Sequence, residues 1–185
     1  MDESFRPNWA ILAGASAVIV LLSVLMLPWQ VAVASAVLGS LMIAGADVDA
    51  RTCLLPDIVT WGAVGCGVVV AAALNPYDEW HAGVAAIMRA VGTALALASL
   101  RWCHARIRTR EGLGFGDVKL AAAVGAWLPL QAIPLCFGLA AGAALVAVLL
   151  ARLRGETISG STKIPFGAFL CPALWLIFYV GVLPG

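Results

Sequence analysis

Charge is what this 185-residue chain has least of: Asp, Glu, Lys and Arg make up 11% of it, against 63% hydrophobic residues. Mean hydropathy is +1.01. A soluble domain carries about 25% charged residues, so the composition excludes an ordinary water-soluble fold and implies a polytopic membrane protein. The net charge of +1 says nothing about nucleic acid, but no basic patch is interleaved with stacking aromatics, so nucleic acid is not an expected partner. No C-x-x-C pair occurs among the five cysteines, Cys53, Cys66, Cys103, Cys136 and Cys171. Their scatter excludes zinc and iron–sulfur spacing. Most fall in or beside apolar segments, where Cys behaves as a small hydrophobe. Cys53, between acids in a polar connection, is the one with reactive potential. The two histidines, His81 and His104, fall in opposite loops and form no ligand pair. No Ser/His nucleophilic arrangement is visible, no cofactor or metal is implied, and no internal repeat is present. The length suits one membrane-embedded domain over residues 1–185. No cleavable signal is evident, because the N-terminus is acidic (Asp2, Glu3) and the first apolar run is long enough to span.

What is present is a series of apolar segments separated by short polar connections, which predicts an all-α membrane bundle of about seven transmembrane segments. They run from about Trp9 to Leu27, Val31 to Ala46, Ile58 to Leu74, Ala82 to Trp102, Asp117 to Leu128, Pro129 to Leu150, and Pro165 to Leu183. The second ends at Asp47-Val-Asp49 and is followed by the connection Ala50 to Asp57. The fifth is short, and at about 1.5 Å per residue it covers less than the hydrocarbon core unless protein shields its flanks. Trp9, Trp29, Trp80, Trp102 and Trp127 fall near span ends, the pattern of an interfacial belt.

Basic residues sort by side. Connections containing Arg51, Arg101 to Arg110, and Arg152 to Lys163 alternate with connections that hold no Lys or Arg. The bias puts the basic loops and the N-terminus in the cytoplasm. Arg89 and Lys119 alone among the basic residues lie inside spans. Lys119 either pairs with an acid or snorkels, and Arg89 either reaches the outer interface or meets a buried partner.

The stretch Gly112-Leu-Gly-Phe-Gly-Asp-Val-Lys-Leu120 carries the chemistry. Gly112, Gly114 and Gly116 precede an acid, Asp117, at the mouth of an apolar run. Glycine lets an extended backbone approach closely, and an intramembrane carboxylate is a functional-site candidate by default. Two crossings separate Asp117 from Asp47 and Asp49, so these acids return to one side at similar depth. Two carboxylates that share a site do not ionise independently, and one can activate water while the other donates a proton. Taken singly, an acid at a helix end is only solvated or favoured by the helix dipole; the joint pattern is what points to chemistry.

Three segments carry a resemblance. Asp49-Ala-Arg-Thr-Cys-Leu-Leu-Pro-Asp57 resembles the first signature of the bacterial type IV prepilin peptidases, and Gly114-Phe-Gly-Asp-Val-Lys-Leu120 resembles their G-x-G-D signature. Lys163-Ile-Pro-Phe-Gly-Ala-Phe169 is similar to the family's Pro-Phe-Gly segment. The G-x-G-D signature is shared more loosely with archaeal preflagellin peptidases and presenilin-type proteases. The resemblance implies a membrane aspartic endopeptidase that removes the basic leader from prepilins or pseudopilins at the cytoplasmic face of the bacterial inner membrane. It implies Asp49 and Asp117 as the catalytic pair, since the family's first acid stands seven residues before the Pro of Leu-Pro-Asp, here Pro56. Asp47 stays as the neighbouring alternative, and Asp57 is expected to cap the third helix.

Gly114, Gly116, Lys119, Pro165, Phe166 and Gly167 are the candidates for shaping the site or holding substrate. Larger family members carry an insertion with two C-x-x-C pairs linked to N-methylation; this chain has neither, so the expectation is a peptidase without methyltransferase activity. The partners expected are a prepilin or pseudopilin and membrane lipid, while oligomeric state is not encoded legibly. A different class also uses intramembrane acids: a small proton- or ion-coupled transporter. Inverted repeats would favour it, and none is found.

Overall fold

The computed structural model describes residues 8–108, 114–154 and 165–183. Gly112 and Lys163, parts of two of the motifs above, lie outside them. The described residues form seven α-helices: α1 (Trp9–Met26), α2 (Trp29–Thr52), α3 (Asp57–Ala73), α4 (Glu79–Arg108), α5 (Phe115–Trp127), α6 (Ile133–Leu153) and α7 (Gly167–Gly181). Four of them, α1, α2, α4 and α6, are long and apolar enough to cross a membrane. With no strand among the described residues, the chain is an all-α, multi-pass membrane bundle.

Two helices outrun their apolar segments. The apolar run of α2 stops at Ala46, yet the helix continues through Asp47, Asp49 and Arg51 to Thr52. An ion pair from Arg51 Nη2 to Asp47 Oδ2 at 2.6 Å staples its last turns. The chain breaks only at Cys53, in the left-handed region (φ 52°), whose N–H bonds Asp49 O at 2.8 Å. The acids therefore sit within the helix and not in a connection. Likewise α4 continues beyond Trp102 to Arg108, through residues expected to be a basic loop. Arg106 stacks over Trp102, one turn away, at 5.0 Å.

At the centre stands the shortest helix, α5, on which α3, α4 and α7 pack. Leu120, Ala121, Ala123, Val124, Gly125, Ala126 and Trp127 are all buried. Protein, not lipid, surrounds most of it, so its 13 residues are not required to match the bilayer. Outside this core α1 lies on α2, α2 on α3 and α7, and α6 on α7.

Without a hydrophobic driving force between helices in lipid, small residues and interhelical hydrogen bonds hold the bundle. Gly125 lies so close to α4 that an added Cβ would overlap Thr93 Oγ1 and the Arg89 carbonyl. Thr93 Oγ1 donates across the same crossing to Ala121 O at 2.8 Å. Trp127 packs on Gly67, donates from Nε1 to Ala63 O at 2.7 Å, and meets Phe178 edge to face at 5.1 Å. It belongs to the core and corrects its assignment to the interfacial belt; its indole N–H has a protein partner, so it needs no water. Trp9, Trp29, Trp80 and Trp102 are exposed, as a belt requires.

Candidate active site

The acids at the end of α2 and the start of α5 come together at one end of the bundle. Asp49 is 4% exposed and Asp117 8%, and each lies within electrostatic reach of the other. The helices carrying them make hardly any direct contact; what joins the two acids is the start of α7 and the loop after α2.

Each carboxylate is anchored by backbone at a helix start. Asp49 Oδ2 accepts from Ala168 N–H at 2.8 Å, and the carboxylate also takes a bond from Gly167 N–H. These are among the first N–H groups of α7, which have no partner within their own helix. The N-terminal dipole adds to the attraction. Pro165 and Phe166 lead into this turn, and Phe166 O accepts from the N–H groups of Phe169 and Leu170 at 3.0 Å. Asp117, at the third position of α5, reaches back to the N–H of Gly114 at 3.3 Å.

The glycines carry the packing. A Cβ on Gly167 would lie 2.8 Å from Asp49 Oδ2 and overlap Leu55 Cδ1. A Cβ on Gly116 would lie 3.2 Å from Leu55 Cβ. Leu55, half-buried, thus fills the space between the backbones that support the two acids. Sequence reasoning passed over it, although it stands inside the Leu-Leu-Pro-Asp segment; no polar atom marks it. Cys171 was read only as filling. It is fully buried one turn beyond Gly167, within electrostatic reach of both carboxylates.

The remaining charged candidates stand apart from the buried pair. Asp47, two residues from Asp49, points to a different face of α2. Its carboxylate accepts from Asn8 N–H at 2.7 Å and from Arg51 at 2.6 Å. Lys119 resolves its two alternatives by pairing with Asp57 at 2.5 Å, with its ammonium 5.0 Å from the Phe115 ring centre. Asp57 is accordingly not a cap: it is the first helical residue, Pro56 holds the cap position, and the carboxylate leaves the helix end for Lys119. Phe115, 62% exposed, also has Arg101 over its ring at 5.6 Å.

Two buried carboxylates on helix ends, each held by backbone donors, can orient a water between them and exchange a proton with it. Comparison with known proteins bears on the family. The type IV leader peptidase family matches residues 36–151. The chain is 34% identical over 143 residues to a prepilin leader peptidase/N-methyltransferase of Burkholderia pseudomallei, a match covering 77% of this chain and 45% of that one. It is 35% identical over 162 residues to a protein of the same name in Dickeya chrysanthemi, covering 85% and 55%. Leader peptidase HopD of Escherichia coli is 35% identical over 137 residues, 74% of this chain and 86% of HopD. The chain spans about half the length of the first two relatives and most of the third. No solved structure matches it. With more than half of its length matched, and with HopD matched over most of its own, the chain belongs to the type IV leader peptidase family.

Proposed function

We propose that this protein is an aspartic endopeptidase that removes the leader peptide from a prepilin or pseudopilin. Asp49 and Asp117 form the catalytic pair, working at the cytoplasmic face of the bacterial inner membrane. The observation that carries the reading is the burial of these two acids at one end of the bundle, each with a backbone N–H anchor. One carboxylate accepts a proton from a water as the water attacks the scissile carbonyl, and the other donates a proton to the leaving amide nitrogen. Gly116 and Gly167 let Leu55 and the start of α7 close against the acids, while Gly114 leaves the backbone just before Asp117 without a side chain, where an extended peptide backbone can approach. The substrate's apolar helix docks laterally in the membrane and its basic leader stays in the cytoplasm, where the basic loops assign the acid-bearing end. The whole chain acts as a single membrane-embedded peptidase unit. The match over most of HopD, whose name carries the peptidase alone, supports leader cleavage without N-methylation.

The test is cleavage of a prepilin-type substrate by purified protein in liposomes. Asp49→Asn and Asp117→Asn are each expected to lower cleavage by about a thousandfold or more, the scale on which members of a catalytic unit fail. Asp47→Asn should retain it. Loss in Asp47→Asn with activity kept in Asp49→Asn would move the first acid by two positions. Absence of cleavage by wild type, together with ion flux that depends on these acids, would replace the protease reading with a transporter.

A further inference from the structure

At the end of the bundle away from the acids, Arg89 is a cation with no acid to match it among the described residues. It lies within α4, ten residues after Glu79, about 15 Å along the helix. Among the described residues no carboxylate pairs with it; Asp78, in the nearby turn, is taken by His81. A guanidinium does not shed its proton in a protein, so the charge persists even among apolar helices. The side chain is nevertheless fixed: Nε donates to Gly125 O at 3.2 Å, in the last turn of α5. That bond uses one of five N–H donors. The four on the two Nη atoms have no protein partner among the described residues.

Arg89 also borders a space between the helices. Arg89 lines a cavity of about 210 Å³ together with Val70, Leu74, Asn75, Trp127 and Phe178. The cavity lies where α3 and α7 make hardly any contact with each other, and Leu74, Asn75 and the nearby Pro129 place its rim at this end of the bundle. Side chains on a helix lean toward its N-terminus, so Arg89 reaches from within α4 toward that rim. Asn75 Nδ2 donates to Ala71 O at 2.8 Å and has a second N–H left. The polar inventory is thus a forked cation and an amide donor set in apolar walls. No acid is among the described residues that line the cavity.

We propose that this cavity binds a phosphate oxyanion, supplied by the headgroup of an anionic phospholipid in the leaflet opposite the acids. The planar fork of Arg matches phosphate oxygens two at a time. Basic pockets between membrane helices recruit such headgroups. The volume, room for about seven waters, suits one phosphate group. The bound lipid would neutralise Arg89 and fill the gap between α3 and α7.

Native mass spectrometry of the purified full chain tests this, with detergent micelles doped with phosphatidylglycerol or phosphatidylcholine. Wild type is expected to retain phosphatidylglycerol about five- to tenfold better than phosphatidylcholine. Arg89→Gln should lose that preference, and Arg89→Lys, a point charge without the planar fork, should keep only part of it. Val70→Trp, which fills the cavity and leaves the cation in place, should lose it as well. A parallel arm measures thermal stabilisation by inorganic phosphate against chloride at equal ionic strength. Stabilisation of wild type but not of Arg89→Gln, without lipid preference, would keep the oxyanion site and reassign its source to free phosphate. Equal lipid retention by wild type, Arg89→Gln and Val70→Trp, with no response to phosphate, would overturn the proposal and leave Arg89 as a cap on α5. If Arg89→Gln does not fold, Val70→Trp decides by the same criterion. Each of these outcomes can be read without any cleavage assay.

Discussion

The two ends of this bundle place opposite charges in apolar surroundings by the same rule. At one end Asp49 and Asp117 take backbone N–H donors from the starts of α7 and α5. At the other, Arg89 donates to a carbonyl in the last turn of α5. Helix starts offer unpaired donors and a partial positive charge; helix ends offer the reverse. A single short helix, α5, thus anchors an anion at its head and a cation near its tail. The lesson is that helix polarity, not side-chain pairing, decides where this protein tolerates charge. The exposed pairs, Arg51 with Asp47 and Lys119 with Asp57, belong to the rim instead.

The comparison breaks most severely where α5 meets α4. Gly125→Val should destabilise the protein by about 3 kcal/mol, the upper range for overpacking a filled core. The added carbons meet the Arg89 carbonyl of α4 as well as Thr93 Oγ1, and the backbone cannot swing aside. Thermal unfolding in detergent measures this, and a variant as stable as wild type would show that the crossing is loose. At the other end, Gly167→Ala should leave the protein folded but lower leader cleavage by about a hundredfold, the scale of a misplaced reacting group. The new methyl group would displace the Asp49 carboxylate or Leu55. Equal loss of fold and cleavage would make Gly167 a packing residue only.

Smaller changes sharpen the contrast between core and rim. Trp127→Phe keeps the ring packing but leaves Ala63 O without the indole donor, an expected loss of about 1 kcal/mol in stability, with cleavage kept. Chemical denaturation in mixed micelles reads it. Least affected is the rim pair: a double-mutant cycle on Asp57→Asn and Lys119→Met should return a coupling of about 0.5 kcal/mol, screened by salt. A coupling several times larger, or one that tracks cleavage and not stability, would place Lys119 in the site.

Much of the fold was legible in the chain. Runs of apolar residues punctuated by Pro and Asn predict seven segments, and seven helices among the described residues stand where they are expected. The misreadings share a cause. The last turns of α2 and α4 are polar, so hydropathy ended both helices too soon, while hydrogen bonding and one-turn side-chain pairs carried them on. Trp127 was given to the interface because it lies near a span end, yet that end is wrapped by α3 and α7. For the candidate site, Asp117 and its glycines stand out as a motif, while the choice of Asp49 over Asp47 comes only from the resemblance to the family's first signature. The contributions of Leu55, Cys171 and the N–H of Ala168 were not visible, since a backbone donor and an apolar wall leave no mark in residue type.

Composition by itself determined that this chain belongs in a membrane, and the spacing of its apolar runs determined where the helices of the described residues lie. These follow from local quantities, the transfer of side chains out of water and the need of each span to satisfy its own backbone. The structure decided that the shortest helix occupies the centre, that Asp49 turns inward while Asp47 pairs at the rim, and that Arg89 is left facing an apolar cavity. Those outcomes depend on which helices adjoin which. That is set by glycine contacts and helix-end donors that come together only when distant parts of the chain pack.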